Sequence, residues 1–82
     1  MAQKNQKSRL VEIDEIPFWS EKMYQNMRNG MVFSIETSND PTGYKYDIVS
    51  LPENYYEDNQ IIDIIGEAKS IKEAESMIRK QL

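Results

Sequence analysis

The sequence predicts a small α+β domain, a three-stranded antiparallel sheet packed by two helices, in the order extended segment, helix, strand, strand, strand, helix. Three observations predict it. Two alternating apolar stretches flank a turn-rich segment at residues 38–43, and a capping box at Ser70 opens a C-terminal apolar stripe. Trp19, Met23 and Met27 recur at four-residue spacing, as one face of a helix does. At 82 residues the chain is near the size at which a single core only just suffices.

Residues 1–9 are polar, carry Lys4, Lys7 and Arg9, and read as a flexible basic arm ahead of one domain spanning 10–82. Leu10, Val11, Glu12, Ile13 and Asp14 alternate well enough for a short strand or extended lead-in. Pro17 cannot donate in a ladder but suits a first helical turn. The following stretch, 18–29, then reads as an amphipathic helix, with Phe18 and Tyr24 beside the Trp19–Met23–Met27 stripe and Asn29-Gly30 as its left-handed stop.

Met31, Phe33 and Ile35 alternate with Val32, Ser34 and Glu36, as in a half-buried strand. Tyr44, Tyr46 and Ile48 do the same against Lys45, Asp47 and Val49, so the two segments form a hairpin about the turn. Pro52 to Gln60 reads as a loop with paired tyrosines between acids, and 61–65 as a third strand released by Gly66. In the last helix Ser70 and Glu73 satisfy reciprocal backbone donors, and Ile71, Ala74, Met77, Ile78 and Leu82 share one face. All three glycines are thus expected at element ends, which leaves none to build a phosphate-cradling loop.

Composition excludes most chemistry. With no Cys and no His, the usual zinc sites, imidazole acid–base pairs and Cys- or Ser–His nucleophiles are absent. The acids Glu53, Glu57 and Asp58, with Asn59, lack the spacing of a calcium loop, and a chain this short hardly encloses a cleft for paired-carboxylate hydrolysis. No enzyme activity, metal or cofactor is expected. No apolar run approaches the roughly 18 residues of a membrane helix, and the N-terminus lacks the apolar stretch of a signal peptide, so a soluble cytoplasmic protein is expected.

Charge is the main functional lead. All fourteen Asp and Glu lie at or beyond Glu12, so residues 10–82 hold seven basic against fourteen acidic side chains, a net −7. Residues 46–68 contain six acids (Asp47, Glu53, Glu57, Asp58, Asp63 and Glu67) and no base; residues 10–21 add Glu12, Asp14, Glu15 and Glu21, again with no base. Such a surface repels nucleic acid and attracts what normally binds it. Alternate strand residues sit about 6.6 Å apart on one face, so Glu12 and Asp14 would imitate successive backbone charges, extended by Glu53, Glu57 and Asp58 and, if they face outward, by Asp63 and Glu67; the alternative reading is that these acids simply solvate a small domain. Tyr55 and Tyr56 read either as interface anchors or as cover for the edge of the core.

Two resemblances bear on function. The order helix, hairpin, strand and capped helix resembles that of double-stranded RNA-binding domains, and Gly66-Glu67-Ala68-Lys69-Ser70-Ile71-Lys72-Glu73-Ala74 is similar to that family's glycine–Ser-Lys-Lys-x-Ala-Lys approach to its last helix. The resemblance implies phosphate contacts from lysines at the start of that helix. Here Ile71 and Glu75 stand at two of those positions, leaving Lys72 with Lys69 ahead, and the family's loop histidine has no counterpart. The whole chain also resembles the small acidic early proteins of Gram-positive bacteriophages, short, free of Cys and rich in Asn, Tyr, Lys and Ile. That resemblance implies a protein-binding inhibitor, of the DNA-mimic type, directed at a basic DNA-binding host protein such as a nucleoid protein. Direct nucleic-acid or membrane binding is not expected, and a homodimer would lengthen the acidic row. The alternative is an RNA- or protein-binding module using the C-terminal helix.

Overall fold

The alternation at the start of the domain forms β1, Leu10–Ile13, and the sheet then grows by one neighbour at a time. β2 is Lys22–Asn26, β3 Val32–Thr37, β4 Tyr46–Leu51 and β5 Asp63–Ala68; the helix α1, Ile71–Arg79, follows. Every pairing is antiparallel and the spatial order is β1-β2-β3-β4-β5, a meander with β1 and β5 at its edges. The computed structural model describes residues 10–39, 41–57 and 60–82. The expected basic arm at 1–9, Asp40 of the turn, and Asp58 and Asn59 of the acidic loop lie outside the described residues.

Among the described residues the sheet therefore has five strands rather than three, and one helix packs it rather than two. No helix occupies 18–29. Residues 14–21 form an irregular connection, 22–26 are strand, and 27–30 turn into β3. Phe18, expected beside the core stripe, is 98% exposed. The physical reason lies in the spacing: positions 19, 23 and 27 share one side at period 2 as well as near period 3.6, so four-residue recurrence does not separate strand from helix. Adjacent Met23 and Tyr24 are both buried because they face opposite sides of a sheet that is covered on both.

Asn29-Gly30 closes a hairpin instead of a helix. Gly30 takes φ +81°, Gly30 N donates to Asn26 O at 2.7 Å, and Asn26 N donates to Met31 O at 2.9 Å. Asn26 Oδ1 and Asn29 Oδ1 accept from Arg28 N and Met31 N, so both asparagines hold the turn. A Cβ on Gly30 would meet left-handed strain and the Glu53 Oε1 atom at 2.6 Å. Gly30→Ala is expected to cost about 1–2 kcal/mol, read as a lower urea midpoint with unchanged slope.

Gly66 likewise lies inside β5 rather than ending it. It pairs with Ile48, and a Cβ there would fall 2.6 Å from Met77 Cε, so its missing side chain lets α1 approach the sheet. Beside it the register slips by one, with Ile48 opposite Gly66 and Val49 opposite Ile64, leaving Ile65 as the extra residue of a bulge.

Two apolar layers result. On the helix side Ala74 and Ile78 of α1 pack with Tyr24, Phe33, Ile35, Ile48 and Ala68. The Ser70 half of the capping box forms as expected, with Glu73 N donating to Ser70 Oγ at 3.1 Å; the Glu73 carboxylate accepts instead from Lys69 N, one residue ahead of the cap, at 2.9 Å. The opposite side has no helix. There Met23, Val32, Val49, Leu51 and Tyr55 pack with Ile13, Ile16 and Trp19, so the 14–21 connection and the loop after β4 cover it. The Ser20 and Ser34 hydroxyls bond at 2.8 Å and Tyr56 donates to Glu15 O at 3.0 Å; the latter ties the two covering segments together.

A candidate acidic partner-binding face

The pairing of β3, β4 and β5 sets three carboxylates side by side. Glu36 is opposite Asp47, and Asp47 is opposite Glu67. Cross-strand partners share a face, and strands lie about 4.8 Å apart, so the three acids form a row crossing the sheet at the end where β3 stops and β4 starts. The row lies on the side away from α1, because Glu36 is two residues from Ser34, and Asp47 two from Val49, both on the loop-covered side. Among the described residues no three acids are grouped to hold a metal ion, so the row is a line of charge rather than a cage.

At Glu36 the local chemistry is costly, and burial rather than its acidic neighbour is the main cause. Burial raises the Glu36 carboxyl above its ordinary value; the Ser34 hydroxyl, 3.4 Å away, opposes that shift, and the Asp47 charge adds to it. A raised folded-state pKa means that the folded protein binds a proton more readily than the unfolded chain does. Glu36 therefore lowers stability at neutral pH, and this penalty disappears as pH falls through its folded value towards the unfolded value near 4.5. Glu36→Gln is expected to raise stability at neutral pH, by less than about 1 kcal/mol for a part-exposed group, and its advantage over wild type should vanish by pH 4.5. A difference that stays constant with pH would remove the carboxyl as its cause.

The sequence-predicted residues fall in several places. Glu12 lies on β1 opposite Tyr24, and its carboxylate is 3.4 Å from Lys22 Nζ. Lys22 also reaches Glu75 at 3.8 Å, and Tyr24 donates to Glu75, a polar cluster that ties α1 to the β1–β2 edge. Burial, then the Glu75 hydrogen bond and charge, hold the Tyr24 phenol well above its usual range. Asp14 and Glu15 follow β1 in the connection and are exposed, as are Glu53 and Glu57 in the loop after β4. Asp58 lies outside the described residues.

The paired tyrosines divide their work. Tyr55 is buried in the loop-side core, and burial, then the Tyr56 hydroxyl, push its phenol up to about 12. Tyr56 stacks on it at 4.5 Å between ring centroids and is otherwise exposed. Asp63 and Glu67 lie on β5, both exposed. The structure thus brings Asp47 and Glu67 together, and it joins to them Glu36, which sequence reasoning passed over. The signal was present: a hairpin that pairs Ile35 with Ile48 must also pair Glu36 with Asp47.

Lys69 and Lys72, the remaining basic residues of the RNA-binding resemblance, are also exposed. Lys69 Nζ lies 5.5 Å from the Tyr44 ring centroid. The first helix on which that resemblance in element order rests is replaced by β2. No helix among the described residues is long and apolar enough to cross a membrane. No family model, curated protein or solved structure matches the chain.

Proposed function

We propose that this protein is a non-enzymatic inhibitor acting by occupancy, whose acidic face engages the DNA-binding surface of a basic protein in a bacterial cytoplasm. The observation that carries this reading is the Glu36–Asp47–Glu67 row. Like charges opposed across strands cost stability, and a domain of 82 residues has little to spare. Three carboxylates aligned on one face support its use as a charged contact. The Cβ atoms of residues directly opposite one another stand about 5 Å apart. Phosphates on one DNA strand advance about 3.4 Å along the axis, so a basic groove meets line charge of the same sign and similar density. The partner class, a nucleoid or other DNA-binding host protein, accords with the resemblance to small acidic phage proteins.

The test is displacement. A fluorescent duplex is first bound to a purified sequence-independent nucleoid protein, and this protein is then titrated in at modest salt. The expected result is release of the duplex, with no binding of this protein to DNA or to duplex RNA in the same buffer. A gel shift of duplex RNA that depends on Lys69 and Lys72 would instead support the RNA-binding alternative.

A further inference from the structure

At the start of the edge strand β5, residues 62–64 alternate apolar and acidic side chains. Ile62 is 56% and Ile64 68% exposed, and Asp63 between them is exposed as well. Ile62 N donates to Ser50 O at 2.8 Å, so pairing with β4 already holds the chain in line at Ile62, ahead of the strand itself. Ile64 pairs with Val49 and so faces the side away from α1; Ile62, two residues earlier, shares that side, while Asp63 faces the other. Among the described residues β5, the last strand in the order, has a neighbour only in β4, and its outer edge faces away from the sheet, where a further strand could pair. Natural edges are blunted by Lys, Pro or bulges; 60–68 contains neither Lys nor Pro, and the bulge at Ile65 leaves 62–64 as the regular part of the edge.

We propose that β5 is a strand-addition site for an extended segment of the partner in which apolar and basic residues alternate. Added to β5, such a segment sets its apolar side chains beside Ile62 and Ile64 and its Lys or Arg side chains beside Asp63. Main-chain hydrogen bonds supply affinity and the alternation supplies selectivity. A second copy of this chain is the poorer occupant, because pairing two β5 edges brings together two chains of net −4 and sets acidic β5 residues against acidic β5 residues. The basic character of the occupant rests on the proposed function; the edge geometry does not.

The test follows amide resonances of the full chain during titration with the peptide Lys-Val-Lys-Val-Lys-Val-Lys, acetylated and amidated. Two controls carry N-methyl groups, one on the valines and one on the lysines. An added strand pairs through one edge only, so one control should bind like the parent and the other at least about tenfold more weakly. Shifts should centre on residues 62–68, and Ile62→Ser/Ile64→Ser should weaken the parent peptide by a similar factor. Equal binding of all three peptides, shifts centred on β1 or α1, or self-association of the free protein through β5 would each overturn the proposal. Salt-sensitive binding without edge dependence removes the strand-addition site and leaves the acidic-face reading intact. Edge-dependent binding without displacement of DNA does the reverse.

Discussion

Ile48→Ala should lower the urea midpoint further than any surface change in this domain. Ile48 is fully buried in the helix-side core of β4, opposite Ile35 on one side and Gly66 on the other. The cavity cannot collapse easily: the facing position on β5 is already glycine, and α1 is seated through Met77 on that glycine. Large-to-small changes at such sites cost about 2–5 kcal/mol. A domain of this length has roughly 4–12 kcal/mol in total, so the variant loses at least about a sixth of its stability. At about 4–8 °C per kcal/mol its melting midpoint should fall by about 8–40 °C. Ile64→Ala on the neighbouring strand, at 68% exposure, is the control and should change stability by no more than about 0.5 kcal/mol.

Asp47→Lys should move stability and function in opposite directions. Asp47 is the centre of the row, flanked by Glu36 and Glu67 on adjacent strands. A lysine there turns two opposed like-charge pairs into two attractive ones, each worth about 0.2–1 kcal/mol. The variant is therefore expected to melt several degrees higher, with a smaller gain in high salt. The same change breaks the line of negative charge and places a cation where the partner's bases would dock. Displacement of DNA should weaken at least about tenfold. A variant that is both better folded and less active cannot owe its defect to misfolding, which gives this substitution its diagnostic value. Asp47→Lys that melts lower while displacing DNA as well as wild type would contradict both halves.

Much of this architecture was legible, and the failures share physical causes. β1, the β3–β4 hairpin and the capped last helix follow from alternation and from Ser70 with Glu73, because in each the local signal and the burial pattern agree. β2 was misread because Lys22–Asn26 is buried on both faces, which erases the period-2 contrast that marks a half-buried strand. Asn29-Gly30 serves a helix stop and a hairpin turn equally well, and only the partner strand decides between them. Gly66 sits mid-strand because a helix needs room above it, a tertiary demand that no local window carries. The candidate face was half legible. Asp47 and Glu67 stand out in an acid-rich stretch without bases, but a row across strands is a property of register, and Glu36 joins it only once the hairpin is aligned.

The measurement that bears most directly on the acidic-face reading is the salt dependence of affinity between this protein and a purified nucleoid protein. It should be made with wild type and with the uncharged variant Glu36→Gln/Asp47→Asn/Glu67→Gln. If the row occupies a DNA-binding surface, log affinity falls steeply with log salt for wild type, as it does for DNA on that surface. The uncharged variant then binds more weakly at low salt and with a clearly shallower slope. An affinity independent of salt, or an identical slope for the two proteins, contradicts the role assigned to Glu36, Asp47 and Glu67.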